Sequence, residues 1–273
     1  MSTHDPAVTQ PPSTSIAVIG GSGLYSLFAG ETEAMTVETP FGAVTLTVGE
    51  LSGRRVVFIP RHGSDHSVPP HRIPYRANIW ALASVGVRAI VSTAAVGAVN
   101  AEYPVDSFAL VDQYIDRTHG RADTFFDGSN VQHLGSADPF CPELLAIARE
   151  RLSPTVEQVG TVVVIQGPRF STRAESKWFR DAGAHLVNMT LYPEVPLAAE
   201  LGIGTVTLAY ITDNDAAPSE DLSAELVFAR LAAAQPRIVD AIERIVAGIP
   251  ADYVARRPIG AAAVAEVLSG HRS

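Results

Sequence analysis

Ile16-Ala17-Val18-Ile19 runs directly into Gly20-Gly21-Ser22-Gly23-Leu24-Tyr25, a short apolar, β-branched stretch that stops at a glycine-rich loop. The same arrangement returns along the chain. β-Branched runs are predicted as strands at Ile16–Ile19, Val44–Val48, Arg55–Ile59, Ala89–Ser92, Phe108–Val111, Thr161–Ile165 and Gly204–Ile211. Between them lie Ala/Leu-rich stretches predicted as helices at Arg76–Val85, Pro142–Arg151, Thr172–Asp181, Pro193–Leu201 and Ser223–Val246, the last interrupted or kinked at Pro236. This alternation is the pattern of an α/β domain. Residues 112–138 show no clear periodicity and are read as a long functional or interface loop. Residues 1–15 read as a disordered leader, 16–250 as one domain, and 251–273 as a tail with a short helical pattern.

Composition narrows the function. The 273 residues are 47% hydrophobic and carry a formal net charge of −9, which suits one folded domain and no general nucleic-acid or membrane surface. A single cysteine, Cys141, excludes an intrachain disulfide and a four-thiolate zinc site. No run approaches the ~18 apolar residues needed to span a bilayer. The cytoplasm is the expected compartment. Lys177 is the sole lysine, which disfavours Schiff-base chemistry and a Walker-type loop.

In open α/β sheets ligands bind beyond the carboxyl ends of strands, so the loops there matter most. The first, residues 20–25, reads equally well as a phosphate cradle or as a tight turn. It is no dinucleotide fingerprint, because the third glycine would fall at Ser26. After the third strand, Arg61 and His62 offer charge-assisted donors to an oxyanion. His62, His66, His71 and Asp65 form a cluster that Pro69 and Pro70 keep off any one helix face, which disfavours metal ligation. Arg76 and Asn78 open a helix and face either the site or the packing around it. Thr93-Ala94-Ala95-Val96-Gly97 is read as a small-residue loop after a buried strand. Phe170 either stacks on an aromatic ligand or packs in the core. Thr212-Asp213-Asn214-Asp215 ends an apolar strand with two carboxylates that bind a cation, take a proton or cap a turn.

Taken in order, these loops resemble the methylthioadenosine phosphorylase branch of the trimeric purine nucleoside phosphorylase family. The resemblance rests on GGSGLY at 20–25, TPFG at 39–42, RHG at 61–63, YRANIWAL at 75–82, DQYIDRT at 112–118, DPFCP at 138–142, QGPRFSTRAES at 166–176, NMTLYPEVPLA at 188–198 and TDND at 212–215. It implies a single α/β domain with a central mixed, partly barrel-like sheet surrounded by helices. It also implies a homotrimer with sites near subunit interfaces, and phosphorolysis with inorganic phosphate as co-substrate, without metal or organic cofactor. By position, Ser22, Arg61, His62 and Thr190 match phosphate-binding residues, with Ala94 and Ala95 in the supporting loop. Met189 matches the residue under the ribose, Phe170 the one near the base, and Asp213 and Asp215 the acidic pair at the purine edge. His133 falls in a loop that reaches a neighbouring subunit's site.

Three positions depart from the family. Gly97-Ala98 stands where Gly-Ser is common, and Asn214 sits where a hydrophobic or aromatic residue is usual. Ala224 replaces a bulkier apolar residue of the 5′ pocket. The implied substrate is 5′-methylthioadenosine. Inosine, guanosine, methylthioinosine or a 5′-halogenated deoxyadenosine are alternatives, and an inactive nucleoside-binding protein is the reading from another class.

Overall fold

The structure is a computed structural model that describes residues 15–156, 158–216 and 223–270. Among the described residues, nine strands and six α-helices follow one another as β1 Ser15–Gly20, β2 Glu33–Val37, β3 Val44–Leu51, β4 Arg54–Pro60, α1 Tyr75–Ser84, β5 Val87–Ala98, β6 Phe108–Arg117, α2 Pro142–Leu152, β7 Val159–Ile165, α3 Arg173–Asp181, β8 Leu186–Asn188, α4 Leu191–Glu200, β9 Gly204–Asn214, α5 Ala224–Gly248 and α6 Ala261–Leu268. The sheet order is β2-β3-β4-β1-β5-β8-β7-β6-β9, and a further β5–β9 pairing closes the last five strands into a mixed barrel. The family resemblance implies this architecture.

β1 reads as a continuous apolar run because it is buried between parallel neighbours β4 and β5. β5 is the strand on which the molecule turns. Along one edge its first half pairs with β1 as far as Ser92, and its end pairs with β8 from Gly97, while β9 follows the other edge throughout. Residues 93–96 are therefore strand, not loop, and their edge faces a gap between two neighbouring strands. Their side chains alternate: Ala89 and Val91 pack with α2 and α5, whereas Ala94, Val96 and Ala98 join Ala209, Ile211 and Leu191. A gap where neighbouring strands part is the usual place for a ligand in such sheets.

Two strands are absent from the sequence reading. β2, Glu-Ala-Met-Thr-Val, is a largely exposed edge of five residues, paired antiparallel with β3. β8 has three residues and exists because β5 and β7 flank it. Of the expected interruption or kink at Pro236, the interruption is absent: α5 runs through it as one helix. Proline forfeits one amide bond there, but Leu231, Ala234, Ile238, Ala241, Ile242 and Ile245 remain a buried stripe, so packing overrides local propensity. The expected loop from residue 112 begins later, since Asp112–Arg117 belong to β6. The leader lies outside the described residues except Ser15, which opens β1. The tail does form a helix, α6, which docks on α1 where Trp80 Nε1 donates to Val267 O at 3.0 Å. No described helix is long and apolar enough to cross a membrane.

Candidate active site

A cavity of about 500 Å³ opens where β1, β4, β5, β8 and β9 end. One end is built for an anion. The loop after β1 passes so close to β5 that a Cβ on Gly21 would lie 2.5 Å from Thr93 O and 3.1 Å from Arg61 Nη1. Gly21 is thus required by close approach, and its amide donates to Thr93 Oγ1 at 2.8 Å. Arg61 crosses the gap beside β5. Its Nη1 donates to Thr93 O at 2.8 Å, and its Nε and Nη2 form a bidentate pair with Glu194 of α4 at 2.6 and 2.7 Å. Both side chains are buried, so the guanidinium is held rigidly and its charge is matched by one carboxylate. The Glu194 carboxylate and hydrogen bond hold the arginine protonated against the burial that opposes it.

Asn188 fills the other side of the same gap. Its Nδ2 donates to Ala95 O at 3.0 Å, and its Oδ1 accepts from Thr190 N, Thr190 Oγ1 and Leu191 N at 2.7, 3.2 and 2.9 Å. One amide thereby fixes the turn that presents Thr190. In an extended strand the N–H and C=O of one residue point to the same edge, so the Ala95 amide faces the gap with its carbonyl. Ser22, Ala95 and Thr190 thus surround the space in front of Arg61. His62 completes this end. Its Nδ1 donates to Val68 O at 2.9 Å, which leaves Nε2 as an acceptor in the neutral ring. Burial, with Arg61 and His66 adding to it, pushes the imidazole down to about 4.

The opposite end carries the acidic pair. A bulge in the β5–β9 register pairs Gly97 with Asp213 after Val96 pairs with Ile211, so the extra residue Thr212 re-aims the carboxylate that follows. A Cβ at Gly97 would lie 2.6 Å from Asp213 Oδ2, and only glycine leaves that carboxylate its place. Burial first, and Asp215 second, push Asp213 up to about 6, while the Thr212 hydroxyl, at 2.7 Å from Oδ1, and Arg230 pull the other way. Asp215 accepts from the hydroxyl of Ser176 on α3 and, at 3.4 Å, from Ser171. α3 is held in register by a capping box in which Thr172 and Glu175 satisfy each other's backbone amides.

Between the two ends lies Met189, against which Gly167 packs: a Cβ there would fall 2.6 Å from Met189 Sδ. Phe170 stands at the rim, 41% exposed and free to cover a flat ligand. The remaining wall is apolar, from Ala224, Val227 and Phe228 of α5, with His66 against the Phe228 ring at 5.0 Å. His66 also stacks on His62 at 4.5 Å and meets Tyr25 Oη through Nδ1 at 3.1 Å.

The structure gathers Ser22, Arg61, His62, Ala95, Thr190, Met189, Phe170, Asp213, Asp215 and Ala224 around one cavity. It corrects several other expectations. Ala94 turns its side chain to the apolar cluster and to a small void beside Ser22. Ala98 is fully buried in that cluster, so the missing hydroxyl is not missing from the cavity wall. Asn214 points away from the cavity: Nδ2 donates to Asn100 O and Tyr103 O at 3.0 and 2.9 Å, and Oδ1 accepts from Ala216 N. Arg76 pairs with Asp127 over the Phe41 ring, and Asn78 is buried in α1; neither lines the cavity. His133, expected at a neighbouring subunit's site, is exposed on the segment between β6 and α2 and lies outside the cavity of its own chain, which leaves that expectation as it stood. Glu194, Asn188 and Ser176 carry no individual role in the sequence reading, and His66 stands there only in a cluster weighed for metal ligation. Nothing local marks a carboxylate that meets an arginine 133 residues away.

The comparisons with known proteins agree with this geometry. Residues 15–247 match the phosphorylase superfamily. The S-methyl-5′-thioadenosine phosphorylase of Mycolicibacterium smegmatis is 49% identical over 203 residues, covering 74% of this chain and 77% of that protein. The purine nucleoside phosphorylase of Streptomyces coelicolor is 44% identical over 263 residues, 90% of this chain and 93% of that one. Among solved structures, methylthioadenosine phosphorylase from Schistosoma mansoni in complex with adenine superposes with a TM-score of 0.81 at 31% identity, covering 86% of this chain and 91% of its own.

Proposed function

The chain belongs to the phosphorylase superfamily, and from that premise we propose that it is a pentosyltransferase that splits 5′-methylthioadenosine with orthophosphate, giving adenine and 5-methylthioribose 1-phosphate. The observation that carries the reading is one cavity with an anion-binding end at Ser22, Arg61, Ala95 and Thr190 and a protonatable carboxyl, Asp213, at the other end, across Met189. As the C1′–N9 bond breaks, its electron pair passes to the purine and positive charge grows on the ribose. An orthophosphate oxygen below C1′ stabilises that charge and forms the new C1′–O bond. Protonated Asp213 donates to the purine edge at N7, so the base leaves neutral, and Asp215 orients it through the exocyclic amine. The enzyme needs orthophosphate as co-substrate and no metal or organic cofactor.

Arg61 arrives at the site already neutralised by Glu194, and His62 presents an unprotonated Nε2. A bound dianion therefore brings a proton with it, either on phosphate or on His62, which raises the imidazole from its low resting value.

The apolar wall of Ala224, Val227 and Phe228 suits a thioether better than a hydroxymethyl group, whose hydroxyl would meet few partners there. The 6-aminopurine reading is favoured over 6-oxopurines because two carboxylates face the base end while the Asn214 amide is committed elsewhere. In the cell the same reading gives a cytoplasmic purine-salvage enzyme. It assembles as a homotrimer in which the exposed segment bearing Val131 and His133 covers a neighbour's cavity; Val131 is 62% exposed. The test is a competition among methylthioadenosine, adenosine and inosine, each with and without orthophosphate. Methylthioadenosine should win and no substrate should be cleaved without phosphate; preferential inosine cleavage would transfer the proposal to the 6-oxopurines.

A further inference from the structure

Arg121 lies on the long segment between β6 and α2, outside the cavity, and its side chain is directed into the backbone that builds the cavity. Its Nη2 donates to Met189 O and Gln166 O, both at 2.9 Å, and more weakly to Ile165 O at 3.5 Å. Nη1 donates to Tyr192 O and, at 3.3 Å, to Tyr75 Oη, while Nε reaches Gln166 Oε1 at 3.2 Å. Among the described residues no carboxylate lies within ion-pair distance of it. Its hydrogen bonds all go to neutral acceptors; burial lowers its proton affinity, while Tyr75, the more distant Asp116 and Tyr192 act the other way. The consequence of these bonds is the backbone geometry they impose.

That geometry is specific. Met189 O and Tyr192 O flank Thr190, so two of the bonds grip the turn on either side of that residue of the anion end. Gln166 O begins the loop whose Gly167 packs on Met189. Tyr75, whose Oη accepts from Arg121, donates its own hydrogen bond to Pro70 O at 3.0 Å, and Pro70 lines the cavity. The acidic pair on β9 receives none of these bonds. Resting on the proposed phosphorolysis, we infer that Arg121 is a positioning residue for the anion half of the site: it sets the Met189–Thr190 turn and leaves the base half alone. The same residue anchors the segment that carries His133, so this anchor ties that segment to the chain's own anion end.

The experiment measures binding of orthophosphate and of adenine by calorimetry, with steady-state kinetics, on the wild-type enzyme, Arg121→Met and Arg121→Lys. Arg121→Met should weaken phosphate at least tenfold, lower kcat, and leave adenine within about twofold. Arg121→Lys, which keeps the charge but reaches fewer carbonyls, should recover part of the phosphate affinity. Equal weakening of both ligands, or no change in either, overturns the inference. If Arg121→Met does not fold, Arg121→Lys decides alone: phosphate weakened several-fold with adenine unchanged supports the assignment, and wild-type affinities reject it. Failure of the wild-type enzyme itself to bind orthophosphate would refute the proposed function instead.

Discussion

Replacing Glu194 with alanine isolates the buried ion pair at the centre of the anion end. Arg61 is 2% exposed and Glu194 3%, and the two share parallel bonds of 2.6 and 2.7 Å. Removing one partner of such a pair strands the other charge, at a cost of about 3–5 kcal/mol. With about 2–4 °C per kcal/mol for a chain approaching this size, the melting temperature should fall by roughly 10 °C. Orthophosphate then changes the comparison. In the wild-type enzyme the dianion meets a guanidinium that Glu194 already neutralises, whereas in Glu194→Ala it supplies the missing counter-charge. Saturating phosphate, worth about 2.7 kcal/mol at a hundredfold excess over Kd, should therefore raise the melting temperature of the variant more than that of the parent. Differential scanning fluorimetry across a phosphate series reads both quantities, with Glu194→Gln as a control that preserves shape. A loss of less than about 1 kcal/mol, or equal phosphate shifts in the two proteins, would show that Arg61 does not depend on Glu194 and does not face the anion.

Asp213 is held at about 6 against an ordinary 3.8, so its proton is present below that value and lost above it. The alkaline limb of kcat/KM for the nucleoside should accordingly be a fall as pH rises through about 6, and Asp213→Asn should reduce turnover at least a hundredfold and flatten that limb; an unchanged profile removes Asp213 as the proton donor. His62, lowered from 6.5 to about 4, acts on stability with a defined sign. The unfolded chain takes up a proton that the fold refuses, so stability falls as pH drops from 6.5 toward 4, and His62→Gln should make the acid side of the melting profile shallower. Asp213 contributes with the opposite sign in the overlapping window, since its raised value favours the fold below 6. Gly97→Ala puts a Cβ 2.6 Å from Asp213 Oδ2, and kcat should drop by about tenfold or more while phosphate affinity holds; normal turnover would mean the carboxylate has room to move. Ala224→Leu narrows the apolar wall and should discriminate against larger 5′ substituents by roughly tenfold in kcat/KM.

Much of the fold was legible because its strands are apolar runs with punctuated ends. The seven strands expected from β-branched runs are all present, and the five expected helices lie within a few residues of their places. β2 and β8 were missed for different reasons. The first is a largely exposed edge whose Glu-Ala-Met-Thr-Val holds no run of β-branched residues, and the second is three residues that depend wholly on tertiary partners. Residues 93–97 read as a loop because alanine and glycine carry little strand propensity, yet small side chains suit a strand beside which an arginine must pass. The site divides in the same way. Residues following strands announced themselves by position, whereas Glu194, Asn188 and Arg121 act across 133, 93 and 68 residues, and no local pattern encodes such partners. Asn214 taught the reverse lesson. Its neighbours on either side face the cavity, and strand alternation together with its bonds to Asn100 and Tyr103 turns it away.

Orthophosphate as the nucleophile is tested most directly by the products. Purified enzyme should release adenine from methylthioadenosine in strict proportion to added orthophosphate, with the sugar recovered as its 1-phosphate ester by phosphorus NMR. Adenine release at the same rate in phosphate-free buffer, with the free sugar as product, would contradict it.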